Sequence, residues 1–392
     1  MRIDAHIHVQ PPELAERLAV EAEHEPYWAL LLAPGQGARH VPMLADAYRA
    51  LADMDRAGID RAVIQGEYYR QHESCVAANN RALALQRQHP DRFLAFATVQ
   101  PSTETGALDE VRRCAAAGVA GIGELNPYAQ GFVLNSPAFL RLAELCIELK
   151  LPLLLHVNEP VGRYYPGKAT TPLVQYYQLA LRYPELKIIL AHWGGGLLFY
   201  ELMPSARRVL RNVWYDTAAS PLIYPGTAIF SAALFCIDHR KILYGSDYPL
   251  PLYPRMSREP EMARFSGEIA ALGLAPAILD DILGGNAARL FGLERGPSAS
   301  PGTDPAGARH MQVNVAIAAL TPVAAIASAW PEARPVLDEY GIPWEEDRVP
   351  FWEPLGQAAA AHGLGPQRLE RLLDDLNTAV QQHTRNTDRE SS

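Results

Sequence analysis

Long apolar runs are missing from this 392-residue sequence. No stretch reaches the roughly 18 consecutive apolar residues of a membrane-spanning helix, so no membrane partner is expected. Cysteine is scarce and scattered: Cys75, Cys114, Cys146 and Cys236 are the only four, and they form no CxxC pair. They read as buried thiols in a reducing compartment, which makes the expected location cytoplasmic. No GxGxxG follows the first strand-like segment, which removes the usual dinucleotide signature. Positive charge is also short. Lys and Arg total 35 against 44 Asp and Glu, a net charge of −9, and a nucleic-acid partner draws on clustered cations, so none is expected. The N-terminus lacks the basic, apolar and small-residue succession of a secretory signal. The hydrophobic share of 48% and charged share of 20% are those of a soluble globular protein.

What is there begins at once. The chain opens Met-Arg-Ile-Asp-Ala-His-Ile-His, with Asp4, His6 and His8 alternating with Ile3, Ala5 and Ile7. A strand over residues 2–8 would project both imidazoles to one side, about 7 Å apart along the backbone. A cation set between them could accept one nitrogen from each ring, and imidazole is the commonest protein ligand for zinc. Two satisfied histidines in a buried strand give the same pattern, so the pair alone decides nothing.

A Pro- and Gly-punctuated segment follows from Val9 to Val41, then a helix expected over Met43 to Ala57. From there the chain alternates. Strand-length apolar runs occupy Arg61–Gly66, Phe93–Val99, Val119–Leu125, Leu151–Val157, Lys187–His192, Val213–Thr217 and Lys241–Gly245. Between them lie amphipathic stretches of helical length, near Glu73–Gln88, Thr103–Ala117, Pro137–Lys150, Pro172–Tyr183, Leu197–Arg211 and Pro225–Ile237. Alternation of this kind implies a parallel sheet covered on both faces. Eight repeats over residues 1–293 predict an α/β fold, a closed (β/α)₈ TIM-like barrel.

Barrels carry their chemistry at the C-terminal ends of strands. His6 and His8 end the first, Glu124 the fourth, His156 the fifth and His192 the sixth, while Asp247 falls just past the eighth. Each alone has a bland explanation, such as a helix cap for Asp247. The ordered set does not. Tyr68, Tyr69 and Asp216 also fall at the expected rim, where packing and capping account for them.

Asp-Ala-His-Ile-His, His156, His192 and Gly-Ser-Asp-Tyr-Pro together resemble the amidohydrolase superfamily, specifically its amidohydrolase-related (amidohydrolase 2) group, which also contains non-oxidative decarboxylases. The resemblance runs to Gly-Asn-Ala-Ala-Arg-Leu-Phe-Gly-Leu, ending at Leu293. It implies that His6, His8, His156 and Asp247 hold a divalent metal, and that His192 holds a second metal or acts on the substrate. Glu124 is similar in placement to the bridging carboxylate of two-metal relatives such as TatD-like hydrolases.

Nitrogen and oxygen donors without thiolate suit zinc first, or manganese or iron(II), as one or two ions. The leading expectation is a metal-dependent hydrolase of a small-molecule amide, ester or lactone. Bound zinc would bring a water's pKa from 15.7 to about 7; Asp247 would pass on its proton, and His192 would polarise the scissile carbonyl. The alternative is a non-oxidative decarboxylase of an aromatic or unsaturated carboxylic acid. Arg163, Tyr164 and Lys168, in the loop after His156, are candidates to bind a substrate carboxylate, with Arg70 a further anchor. Gly194, Gly195 and Gly196 either open a helix whose N–H groups face an anion or permit a tight turn.

Residues 294–310 have linker composition, centred on Gly-Pro-Ser-Ala-Ser-Pro-Gly-Thr-Asp-Pro-Ala-Gly. A small helical domain is expected over 311–382 and a disordered tail over 383–392. Val323–Tyr340 reads as a helix interrupted near Pro331 and Pro335, and a helix from Pro366 to Gln382 carries Leu369, Leu372, Leu373 and Leu376 on one stripe. The stretch from Ile326 to Ile342 resembles small helical domains found beside iron-sulfur and iron-cluster repair proteins. Those relatives often place cysteine after the Gly-Ile; here Pro343-Trp344-Glu345 follows, and no cysteine occurs after Cys236. The expectation is therefore an interaction or dimerisation module, with a homodimer and a small-molecule substrate as the partners.

Overall fold

The computed structural model describes residues 1–11, 13–14, 20, 23–25, 44–162, 165, 168–254, 256, 259–293, 317–319, 321–345 and 353–390. Arg163, Tyr164 and the expected linker at 294–310 lie outside them. Eight strands pair in parallel in chain order: β1 (Ile3–Ile7), β2 (Arg61–Ile64), β3 (Phe93–Ala97), β4 (Gly121–Leu125), β5 (Leu153–Leu155), β6 (Ile188–Leu190), β7 (Val213–Asp216) and β8 (Ile242–Leu243). The last strand meets the first, because Ala5 N–H donates to Tyr244 O at 2.8 Å and Asp247 N–H to His6 O at 2.9 Å. The result is the expected (β/α)₈ barrel.

Helices α1 (Ala47–Ala57), α2 (His72–Gln88), α3 (Thr105–Ala116), α4 (Pro137–Glu148), α5 (Leu173–Arg182), α6 (Pro204–Val209), α7 (Gly226–Cys236) and α8 (Ala263–Ala270) alternate with the strands. Strands such as Phe-Leu-Ala-Phe-Ala and Leu-Leu-Leu are buried throughout, as parallel strands covered on both faces must be. The first helix shows how local signals cooperate. Asp46 caps it by accepting from Arg49 N–H, Gly58 ends it at φ 64°, and its buried face is Ala50, Asp53, Met54 and Ala57, the i, i+3, i+4, i+7 stripe of a helix. Ile3, Val63, Phe96, Leu154, Ile189 and Leu243, from six different strands, share one core with Ala287, Ala288 and Leu290.

One element departs from expectation. The helix predicted over Leu197–Arg211 is present only as α6 and short 3₁₀ turns. Pro204 starts α6, where the absence of an N–H is harmless. Ahead of it, Trp193 to Gly196 all take positive φ, from 57° to 94°. The three glycines therefore make a tight left-handed turn, not a helix start. At Gly195 a Cβ would stand 2.4 Å from Asn158 O, so this close approach to the loop after β5 requires glycine.

Backbone contacts group the chain into two units, residues 1–133, 138–173 and 184–294, and residues 134–137, 174–183 and 295–392. The second contains Val323–Ala329, a 3₁₀ turn at Pro331–Ala333, Arg334–Glu339, Leu355–Ala361 and the long helix Pro366–Glu390. The break therefore falls at Pro331, while Pro335 sits in the first turn of the next helix, where it is tolerated. Leu372 and Leu376 are fully buried with Trp330, Leu337 and Leu355, and Leu369 and Leu373 pack beside them. Within this unit Arg182 is buried against Glu332, Nη2 to Oε1 at 2.6 Å. Among the described residues no helix is long and apolar enough to cross a membrane.

Candidate metal centre

The polar strand ends converge. His6 lies within β1 and His8 one residue past it, Glu124 within β4, His156 one past β5, His192 two past β6, and Asp247 four past β8. Their donor atoms form two groups, His6–His8–Glu124 and Glu124–His156–His192, each with all donors within 4.8 Å. His6 Nε2 stands 3.3 Å from His8 Nε2 and 3.2 Å from Glu124 Oε2. Asp247 Oδ1 joins this group, 3.6 Å from His6 Nε2 and 3.5 Å from His8 Nε2. On the other side His156 Nδ1 is 2.8 Å from Glu124 Oε1, and His192 Nε2 is 3.2 Å from His156 Nδ1.

Hydrogen bonding outside the cluster decides which nitrogens carry protons. His6 Nδ1 donates to Asp216 Oδ2 at 2.8 Å and His192 Nδ1 donates to Ala218 O at 3.0 Å. Neutral imidazole has one N–H, so both rings turn a bare Nε2 inward. Asn158 Oδ1 accepts Ala169 N–H at 2.6 Å, which fixes its amide. The same oxygen is 3.0 Å from His156 Nε2, so that nitrogen holds the hydrogen and Nδ1 is bare. In their neutral forms His6, His156 and His192 thus turn bare nitrogens toward the Glu124 carboxylate. Ligands of one ion, bound at 2.0–2.2 Å, stand about 3–3.6 Å apart. The donor set fits a divalent cation, and the outward N–H bonds are the supports that metal-binding histidines need.

The same demand for positive charge governs the proton equilibria without metal. Burial alone would raise Glu124, but His6 and His156 outweigh it and hold the carboxyl well below its ordinary range. Burial disfavours charge on His8, yet Glu67 and the Asp247 hydrogen bond raise it to about 10. His192 rises to about 9 against burial, through Glu124 and Asp247. Asp247 itself falls to about 2, because His8, His6 and His192 overcome desolvation. Asp4 is pushed the other way, to about 6 by burial, although Ser246 and His6 N–H groups bond to it. The Ser246 bond ties β1 to the segment carrying Asp247.

Two of the candidate residues are held in the left-handed region, His192 at φ 56° and Asp247 at φ 64°, a strain the surroundings must sustain. Asp216 and Tyr68 prove to be more than rim packing. Asp216 is fully buried, and its Oδ1 accepts from His192 N–H (2.9 Å) and Ala218 N–H (3.0 Å) while Oδ2 holds His6. Tyr68 OH donates to Glu124 Oε2 at 2.6 Å. Lys168 Nζ is engaged by Glu159 Oε1 at 2.9 Å and Val161 O at 2.8 Å, so a substrate carboxylate would have to compete with Glu159. Arg70 Nε donates to Ala129 O at 2.8 Å.

The sequence profile of the amidohydrolase family matches residues 3–293. The chain belongs to this family. This amidohydrolase is 21% identical over 351 residues to 2-amino-3-carboxymuconate-6-semialdehyde decarboxylase of Dictyostelium discoideum, covering 75% of this chain and 92% of the relative. Similar solved structures include 5-carboxyvanillate decarboxylase from Sphingomonas paucimobilis, with 19% identity, a TM-score of 0.60, and coverage of 74% of this chain and 98% of that one. Another is a dihydroxybenzoic acid decarboxylase from Polaromonas, solved with manganese and the inhibitor 2-nitroresorcinol, with 20% identity, a TM-score of 0.56, and coverage of 75% and 98%. At these identities the solved structures establish the shared fold.

The relatives correct the expectation of a hydrolase of amides, esters or lactones, because they are decarboxylases. The reason is physical. Strand-end histidines and carboxylates report a place for positive charge, and that charge serves loss of CO₂ as readily as attack by water. Zinc in particular is not supported either, since a solved relative holds manganese.

Proposed function

We propose that this amidohydrolase is a metal-dependent non-oxidative decarboxylase of a small aromatic or unsaturated carboxylic acid. The observation that carries this reading is the pairing of a Glu124-centred donor set with relatives that are decarboxylases. We infer two cation pockets sharing Glu124, the first lined by His6, His8 and Asp247 and the second by His156 and His192. Mixed nitrogen and oxygen donors suit manganese as well as zinc. A divalent ion bound there would supply the positive charge that draws in and orients an anionic substrate.

The chain's own residues have distinct parts. Asp216 and the Ala218 carbonyl hold His6 and His192 as Nδ1–H tautomers, keeping Nε2 available. Decarboxylation replaces CO₂ on the substrate carbon by one proton. Asp247 is the group we assign to relay it, because its side chain is 14% exposed where Glu124 and His6 are at 0%; solvent can reprotonate it. His192, strained and beside Asp247 at 4.0 Å, would orient the relay. The test is CO₂ release by manganese- and zinc-loaded protein from hydroxybenzoates and unsaturated dicarboxylic acids. Release from none of these, with metal bound, would sink the reading.

A further inference from the structure

Three imidazoles of the centre have an outward partner at hydrogen-bond distance: Asp216 behind His6, Asn158 behind His156 and the Ala218 carbonyl behind His192. His8 differs. Its Nε2 faces the cluster, 3.3 Å from His6 Nε2 and 3.5 Å from Asp247 Oδ1. Its Nδ1 is buried and makes no hydrogen bond among the described residues. The carboxylate on that side is Glu67, with Oε1 3.7 Å away, just beyond hydrogen-bond reach.

Glu67 is delivered there by a firmly held turn after β2. Gln65 N–H donates to Ile7 O at 2.8 Å and Gly66 N–H to Gly123 O at 2.7 Å. A Cβ on Gly66 would stand 2.4 Å from Thr98 Cβ, so only glycine lets the chain pass this close. The Glu67 carbonyl accepts from Thr98 Oγ1 and from Tyr69 N–H, both at 2.9 Å. Thr98 is pinned in turn by Asn79, which accepts from its N–H and donates to its carbonyl, each at 2.8 Å. At the side chain, Gln10 Nε2 donates to Glu67 Oε1 at 3.0 Å. The backbone is fixed by neighbours on three strands, and the carboxylate is left aimed at His8.

We propose that Glu67 is the positioning residue of His8: its carboxylate accepts the Nδ1 hydrogen and so holds Nε2 on the first cation pocket. This rests on the reading of His8 as a ligand of that pocket and goes beyond it. A ligating His8 keeps Nε2 bare, so its one hydrogen sits on Nδ1, and a buried donor requires an acceptor. A side-chain movement of about 1 Å closes the gap to the roughly 2.8 Å of a charge-assisted bond. A carboxylate behind an imidazole fixes its tautomer and makes it a better ligand. The two histidines of the opening strand are then backed alike, His6 by Asp216 and His8 by Glu67. His156 and His192 lean on neutral oxygens instead. Anionic support is therefore concentrated behind the first pocket.

The test uses the full chain, stripped with chelator. Titration with manganese alone reads affinity. The zinc-loaded protein, which is diamagnetic, gives the histidine ring N–H signals by nitrogen-15 magnetic resonance, and the signal missing from His8→Ala is that of His8. Wild type should carry the His8 hydrogen on Nδ1, shifted downfield by its carboxylate partner. Glu67→Ala should move that signal upfield and weaken manganese binding roughly 10–100-fold, the cost typical of losing the group behind a ligand. Glu67→Gln, which keeps an oxygen but not the charge, should fall between the two. A packing role alone would leave the ring signal where it is. Equal melting of the metal-free proteins would show that the fold is unchanged; should Glu67→Ala fail to fold, Glu67→Gln carries the test with the same two readouts. Wild-type affinity in His8→Ala would overturn the reading of His8 as a ligand. Weakened binding in His8→Ala, with either readout unmoved in the Glu67 variants, would overturn the role of Glu67 alone. CO₂ release is not read, so the outcome stands whatever the substrate.

Discussion

Two of the barrel's buried carboxylates, Glu201 and Glu124, sit in clusters built on opposite principles. In one, Glu201 is met by hydrogen-bond donors, one of them a cation. Lys241 Nζ bonds to its carboxylate, Tyr215 OH donates to the same Oε1 at 2.7 Å, and Lys241 Nζ also donates to Leu210 O at 2.9 Å. In the other, Glu124 accepts from the Tyr68 hydroxyl and faces imidazole nitrogens that are acceptors when the rings are neutral. The first cluster carries its own cation. The second must take up protons on its rings or bind a metal ion to balance its carboxylates. A buried carboxylate by itself therefore says little; whether its neighbours are donors or acceptors separates a structural ion pair from a metal centre.

The comparison breaks most sharply at Lys241. Removing one partner of a buried pair leaves an uncompensated charge, at about 3–5 kcal/mol. Lys241→Met should cost that much in denaturant unfolding and leave manganese content unchanged. A loss of metal on this substitution would mean the two clusters are not independent. At the other cluster, Asp247→Asn keeps the shape but cannot accept a proton. CO₂ release should fall at least about 10²-fold, the low end for general acid–base catalysis, while metal is still found by mass spectrometry. Near-normal turnover would move the proton relay elsewhere.

Asp216→Asn sharpens the point about donors and acceptors. If the amide oxygen takes His6 Nδ1–H, its NH₂ meets the N–H groups of His192 and Ala218. If it turns round, His6 must accept, and its own hydrogen then points into the metal pocket. Either way metal affinity should drop roughly 10–100-fold, read by titration of stripped protein. Unchanged affinity would reduce Asp216 to packing.

The smallest effect is in pH. Without metal, the raised histidines contribute stability that is fully present below about 6.5, their unfolded value. It is lost as pH rises through about 9 for His192 and about 10 for His8. Bound metal replaces those protons, so the gap in melting temperature between loaded and stripped protein should widen from pH 6.5 to 9. A constant gap would show that the protons and the metal do not compete.

Much of this was legible along the chain, for reasons of periodicity. Alternation at His6 and His8 and the polar residues closing buried apolar runs at Glu124, His156 and His192 follow from strand geometry, which is local. The barrel and the leucine stripe of the last helix were readable on the same grounds. Asp216 and Tyr68 were not, because a polar residue at a strand end looks the same whether it caps, packs or holds a ligand. The three glycines after His192 were equally silent, since a helix start and a left-handed turn both admit glycine.

The sequence by itself determined which side chains reach one rim, because a parallel barrel presents every strand's C-terminal end to the same face. Only the tertiary structure decided how they meet. Hydrogen placement on His6, His156 and His192 is set by Asp216, Asn158 and Ala218, at separations of 210, 2 and 26 residues. The bonds to His6 and His192 exist only once strands distant in sequence have met, and they help turn six polar residues into a place for a cation.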